Sequence, residues 1–229
     1  MEGFGPKIYN IAGIPISETV VVTWIIMIAL TIFAFFATRN LKKVPTKTQL
    51  LVESAVGTIN NLVKQTMGED KMGFAPYIGT IMIFIGIANI IGLIGLRPPT
   101  ADVNTTFALS IITFFMIQIF AMKSKGFGGY IKGFFEPMWL LAPINVIGEL
   151  ANPISLSFRL FGNIVGGLII MNLLYSALMG FSFKLGMPIP ILGVGIPAFL
   201  HMYFDLFAGL LQSFIFAMLT MVLVSMGMD

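Results

Sequence analysis

Arg159 places a permanent charge inside the apolar stretch Pro153–Leu178, where no other side chain is charged. A guanidinium does not shed its proton, because its pKa lies above about 12. At bilayer depth it costs between about 2.5 and 17 kcal/mol, depending on how far water and lipid rearrange. Such a residue demands a partner, a water-filled cavity or a function. Ser155 and Asn163 lie four residues before and after it, on the same helical face, and Asn152 lies seven before on that side. Gly148, Gly162, Gly166 and Gly167 leave space for another helix or for water near the backbone. In the last apolar stretch His201 and Asp205 are four apart, and Asp205 and Gln212 seven apart, which predicts one polar stripe about three turns long. A carboxylate and an imidazole on one stripe in lipid suit a proton or cation path, since each takes up or releases a proton.

Each group also has a plainer reading. A single histidine can be a hydrogen-bonded packing residue, Ser155 and Asn163 can be interhelical hydrogen bonders, and Asp205 can neutralise Arg159 across a helix pair. The combination favours transport over packing.

The elements that carry these groups are membrane spans. Of 229 residues 57% are hydrophobic and 10% charged, where a soluble domain carries roughly a quarter charged. The fold expected is an all-α membrane protein with about five transmembrane helices and one amphipathic interfacial helix. It forms a single integral membrane domain over residues 1–229, with an outer N-terminus and a cytoplasmic C-terminus. The N-terminal MEGFGPKIYN has neither signal-peptide nor transit-peptide layout, so the first span is expected to be retained, in a bacterial plasma membrane.

Val20–Thr38 is the first span and ends in Arg39, Lys42, Lys43 and Lys47, a cytoplasmic signature. Thr46–Gly68 repeats Leu50, Leu51, Ala55, Ile59 and Leu62 at helical spacing and is too polar to cross, so it is expected on the cytoplasmic membrane surface. Tyr77–Leu96 and Thr105–Met122 are the second and third spans, joined by an outer turn with Asp102 and Asn104. Gly133–Leu150, interrupted by Pro137 and Pro143, is expected as a separate interfacial or re-entrant piece. Pro153–Met179 and Ile189–Met226 exceed the twenty or so residues of a perpendicular crossing, so both are expected to tilt. With this topology nine basic residues fall inside and three outside, Arg159 apart.

Other chemistry lacks its residues. The basic side chains flank spans rather than forming a nucleic-acid surface, so no nucleic-acid partner is expected. There is no cysteine, no GxxxxGK[ST] loop and no HExxH, and one histidine cannot build a histidine metal site. KGFGGY (Lys125–Tyr130) lacks the strand–loop–helix setting of a dinucleotide site and is read as a flexible turn. No cofactor and no catalytic site of the chain's own are expected. A stand-alone secondary transporter, with Arg159 binding an anionic substrate, is an alternative, although no inverted repeat or pair of broken helices supports it.

The run PISLSFRLFGNIVGG (Pro153–Gly167), with QSFIFAMLTMVLVSM (Gln212–Met226), resembles subunit a of the F-type ATP synthase. TADVNTT (Thr100–Thr106) and KSKGFGGY (Lys123–Tyr130) resemble the same family, so the likeness covers essentially the whole chain. It implies a non-catalytic stator channel subunit of a rotary complex, with two offset half-channels that load and unload protons or sodium ions on a c-subunit rotor ring. The last two helices would form a tilted hairpin against that ring, and the b-subunit peripheral stalk and the rest of the synthase would be partners. The resemblance makes Arg159 the stator arginine and electrostatic gate, Gln212 the glutamine facing it, and Ser155 and Asn163 lining residues. Asp205 takes the position where relatives place a histidine or an acid, with His201 one turn earlier. Where many relatives carry an acid or histidine nine residues after the arginine, this chain has Leu168. The outer path is therefore expected to rely on Asp205, assisted by His201 or Glu18. Asn145, Glu149 and Asn152 are the candidates for the cytoplasmic half-channel.

Overall fold

The computed structural model describes residues 7–11, 13–39, 41–136, 138–184 and 192–228. The chain enters through a small antiparallel hairpin of β1 (Ile8–Ile11) and β2 (Ile14–Ser17), with Tyr9 opposite Ile16. Gly13, at φ 83°, supplies the left-handed residue of its turn. An all-helical reading of the sequence does not contain this hairpin; four-residue strands are too short to show a period. β2 runs straight into α1 (Glu18–Thr38), whose first amide donates to the Lys7 carbonyl at 2.8 Å.

Most of α1 faces away from the protein, exposing Trp24, Ile28, Phe33 and Phe36, while Val22 and Ile26 pack on Ala88 and Ile91 of the second span. A helix that is apolar all round and exposed on most of its surface belongs in lipid. The helices long and apolar enough to cross a membrane number five among the described residues: Glu18–Thr38, Glu69–Ile94, Val103–Phe135, Trp139–Lys184 and Pro197–Met228. Spans and order agree with the sequence expectation; the opening residues of the expected last stretch, Ile189–Ile191, lie outside the described residues.

The amphipathic segment forms α2 (Lys47–Met67). Its C-terminal end docks on the bundle, where Val63 and Met67 are buried against Ala75, Ile78, Ala217 and Met221. Its N-terminal half keeps Leu50 and Leu51 exposed. The apolar face thus divides its length between protein and surroundings, a division that spacing alone does not reveal.

α3 (Ala75–Ile90) and α4 (Val103–Phe135) follow, linked by Gly95 at φ 80° and by Asp102, which caps α4 by accepting from the Asn104 amide at 3.0 Å. α4 does not stop at Lys123 or Lys125. It continues through a kink at Gly126 (φ 73°, ψ 157°), the point where the KGFGGY turn was expected. The expected separate piece Gly133–Leu150 is absorbed by its neighbours: residues 133–135 end α4, a short 3₁₀ turn spans Trp139–Leu141, and α5 (Ala142–Lys184) begins directly after it. Pro143 starts the helix rather than breaking it, because a first-turn N–H has no intrahelical partner to lose. Pro153 lies inside α5, as membrane helices tolerate. The 43 residues of α5 reach about 65 Å at 1.5 Å per residue, roughly twice the hydrocarbon thickness, so it must tilt or emerge.

α6 (Leu192–His201) passes into α7 (Gly209–Met228) through a π-helical stretch, Met202–Ala208. α3, α4, α5 and α7 share the core, in which Ile85, Leu160 and Phe216 are fully buried together. Small residues bring the backbones close. A β-carbon on Gly209 would lie 2.9 Å from the Asn89 β-carbon, and one on Gly167 would lie 3.5 Å from that of Phe204. Gly209→Ala is therefore expected to push α3 from α7 and destabilise the protein by about 1–3 kcal/mol, read as a lower thermal aggregation midpoint in detergent. An unchanged midpoint would contradict this packing.

Candidate functional site

α5 has two faces. Leu156, Leu160, Ile164, Gly167 and Met171 are buried at helical spacing and fix its inward side. That choice turns Ser155 and Arg159 outward, where both are exposed. The surrounding surface is apolar, with Ile154 and Phe158 beside the charge. Among the described residues no hydrogen bond or ion pair engages the Arg159 guanidinium. Asp205 in particular does not neutralise it. Asp205 Oδ2 instead lies 2.6 Å from Nδ1 of His201.

The π-helical stretch explains much of the geometry beyond Arg159. One extra residue per turn rotates the segment before it by about 100° relative to α7, since an α-helix advances one turn per 3.6 residues. His201 and Asp205 stay together, but the straight stripe expected to continue to Gln212 is interrupted. Gln212 is buried at 6% exposure, whereas Arg159 is exposed, and no hydrogen bond joins them among the described residues. Wider turns also disturb the backbone hydrogen-bond ladder, and side chains reach two adjacent carbonyls at its end. Asn163 of α5 donates to Ala208 O at 3.4 Å, and Asn89 of α3 donates to Gly209 O at 2.8 Å. Asn89 is 1% exposed, and its own oxygen accepts from the Thr100 hydroxyl at 2.6 Å, so both ends of this buried amide are satisfied. Asn89 and Thr100 were missed from the sequence. The signal was there, a lone amide in an apolar span and the first residue of TADVNTT.

His201 and Asp205 form one end of the site. The Tyr175 ring stands 5.9 Å from that of His201, and the site of a β-carbon on Gly92 is 3.9 Å from Asp205 Cγ, an ordinary van der Waals distance that places the carboxylate beside Gly92. Tyr175, also missed, lies seven residues after Leu168 and hence on the same helical face. Leu168 itself is half-buried and brings no polar group. Glu18 opens α1 and is half-buried, but no hydrogen bond or ion pair ties it to His201 or Asp205 among the described residues. Its neighbour Thr19 instead donates to Asp102 Oδ2 at 2.9 Å.

At the other end of α5 a cleft of about 740 Å³ opens between α4, α5 and α7. It gathers Asn145, Glu149 and Asn152, the three residues expected to act together there. Asn145 Nδ2 donates to the carbonyls of Phe134 and Glu136 at 2.9 and 3.3 Å, which ties the start of α5 to the end of α4. Glu149 Oε2 accepts from Gln118 Nε2 at 3.1 Å. From the cleft, residues 145, 149, 152 and 159 recur every three to seven positions along one face of α5, leading to Arg159.

The chain was compared with known proteins. A family model described as "ATP synthase A chain" matches residues 20–225. The protein named "ATP synthase subunit a, sodium ion specific" from Propionigenium modestum is 39% identical, with 93% of this chain and 74% of that protein covered. "ATP synthase subunit a" from Moorella thermoacetica is 38% identical over 93% of this chain and 92% of its own. Its counterpart in Geobacter sulfurreducens is 36% identical over 93% and 88%. A match that takes in every span, the Arg159 face and the cleft leaves one assignment: the chain belongs to the ATP synthase A chain family.

Proposed function

We propose that this chain is the stator ion channel of a rotary ATP synthase in a bacterial plasma membrane, and that Arg159 gates two offset half-channels. The observation that carries the reading is the exposed charge of Arg159 on an apolar membrane face, without an ion-pair or hydrogen-bond partner among the described residues. A guanidinium there needs an anion from outside the chain, and a rotor ring whose subunits each bring one carboxyl group past this face supplies it.

The cycle follows from electrostatics. Beside Arg159 a rotor carboxylate is favoured in its ionised form, so it releases its proton or sodium ion on approach and reloads after passing. The cleft at Asn145, Glu149 and Asn152 is the cytoplasmic half-channel, and the His201–Asp205 pair with Tyr175 forms the outer one. Arg159 does not itself release a proton, so it blocks direct leakage between them. Ser155 and Asn163 line its face, and Gln212 stands on the opposing helix. A potential of 100 mV does about 2.3 kcal/mol of work per charge carried across, which sets the direction of rotation. The tilt of α5 lets its outward face follow a curved rotor, while the peripheral b-subunit stalk holds the chain against the torque.

Arg159→Ala and Arg159→Gln should abolish ATP synthesis in energised membrane vesicles while the detached soluble ATPase head keeps its activity. Normal synthesis by either variant would overturn the gate. Asp205→Asn should slow passive ion flux through the membrane sector severalfold without stopping it; flux equal to the parent would remove Asp205 from the outer path.

A further inference from the structure

Glu149 is held by residues that the half-channel reading does not include. Beyond Gly126 the chain folds back, since Gln118 and Tyr130 would stand about 18 Å apart along a straight helix, yet the Tyr130 hydroxyl hydrogen-bonds Gln118 Oε1. Gln118 is 8% exposed, so its amide orientation matters. An ionised carboxylate only accepts, which requires Gln118 to present Nε2 to Glu149 and leaves Oε1 free to accept from Tyr130. The relay Tyr130–Gln118–Glu149 therefore has one consistent direction of donation, running from the returned arm of α4 through its buried shaft to α5.

The other charged groups of the cleft do not take this part. Lys125 of α4 and Glu136 after it line the same space, and α7 contributes Leu223, Met226 and Gly227, none of which titrates. Among the described residues no ion pair joins Lys125 to Glu149. A glutamate side chain in a wet cleft otherwise samples many rotamers, and ordering it costs conformational entropy.

We propose that Gln118 and Tyr130 are positioning residues of the ion path: Gln118 fixes the Glu149 carboxylate between Asn145 and Asn152, and Tyr130 fixes Gln118. The proposal rests on the cleft being a half-channel, and the test separates the two. The complete synthase is reconstituted in liposomes, and ATP synthesis is driven by a valinomycin–potassium potential with both proton and sodium gradients imposed. The amount of assembled complex is measured alongside.

Glu149→Gln and Gln118→Leu should each lower the rate per assembled complex about tenfold, and Tyr130→Phe, which deletes one oxygen, about two- to threefold. Gln118→His, which keeps a donor, should retain more of the rate than Gln118→Leu. The double variant Gln118→Leu/Glu149→Gln should be no slower than Glu149→Gln alone, because Gln118 acts only through the carboxylate. If Glu149→Gln is slow while Gln118→Leu and Tyr130→Phe match the parent, the positioning role is wrong and the half-channel stands. If the double variant multiplies the two losses, Gln118 is structural and the proposal falls. Parental rates with Glu149→Gln overturn the half-channel reading and the proposal with it.

Discussion

The structure depends on one constraint, a guanidinium that does not shed its proton standing on an apolar face of a membrane-spanning helix. Burial inside the bundle would need a carboxylate partner and two desolvated ions, an arrangement that commonly fails to repay its cost. The chain avoids this by turning Arg159 outward and pairing Asp205 with His201. The inward stripe of α5, Leu156 to Met171, is what makes that turn obligatory, because rotating the helix to hide Arg159 would expose the whole stripe. Packing and charge are therefore set by the same rotation of one helix.

The π-helical stretch at Met202–Ala208 is the second device, and it is linked to the first. It swings the His201–Asp205 pair out of phase with Gln212, with Asp205 beside Gly92 and His201 beside Tyr175. A wider turn in lipid is tolerated only when neighbours satisfy the backbone it disturbs. Asn163 and Asn89, from helices on either side, reach the two carbonyls at its end. Asn163 thus reads differently in three dimensions than in sequence. Spacing placed it on the Arg159 face as a lining residue, and its amide also braces the helix that carries the acid.

Much of the architecture was legible because hydropathy and helical spacing are local properties. The spans, the amphipathic helix and the grouping of Ser155, Arg159 and Asn163 depend on residues within two turns of each other. The errors arose where the decisive partner is far along the chain. Pro143 looks like a break, but it lies in the first turn of α5, where a helix has no bond to lose. A π turn leaves no mark in spacing, since its carbonyls are met by Asn89, 120 residues before Gly209. Gln118 and Tyr130 carried no flag at all, because only the fold-back at Gly126 brings them together.

The two ends of the proposed path differ in their chemistry. In the cleft the carboxylate of Glu149 is held by a neutral amide and flanked by asparagines, groups that neither lend nor take a proton. At the other end the acid is paired with an imidazole instead. Arg159 lies between them on α5, a helix that contributes residues to both ends. In the proposed cycle a rotor site travels past the arginine to get from one end to the other. On the proposed reading, coupling of ion flow to rotation follows from Arg159 standing between the two ends, because a guanidinium does not hand on a proton.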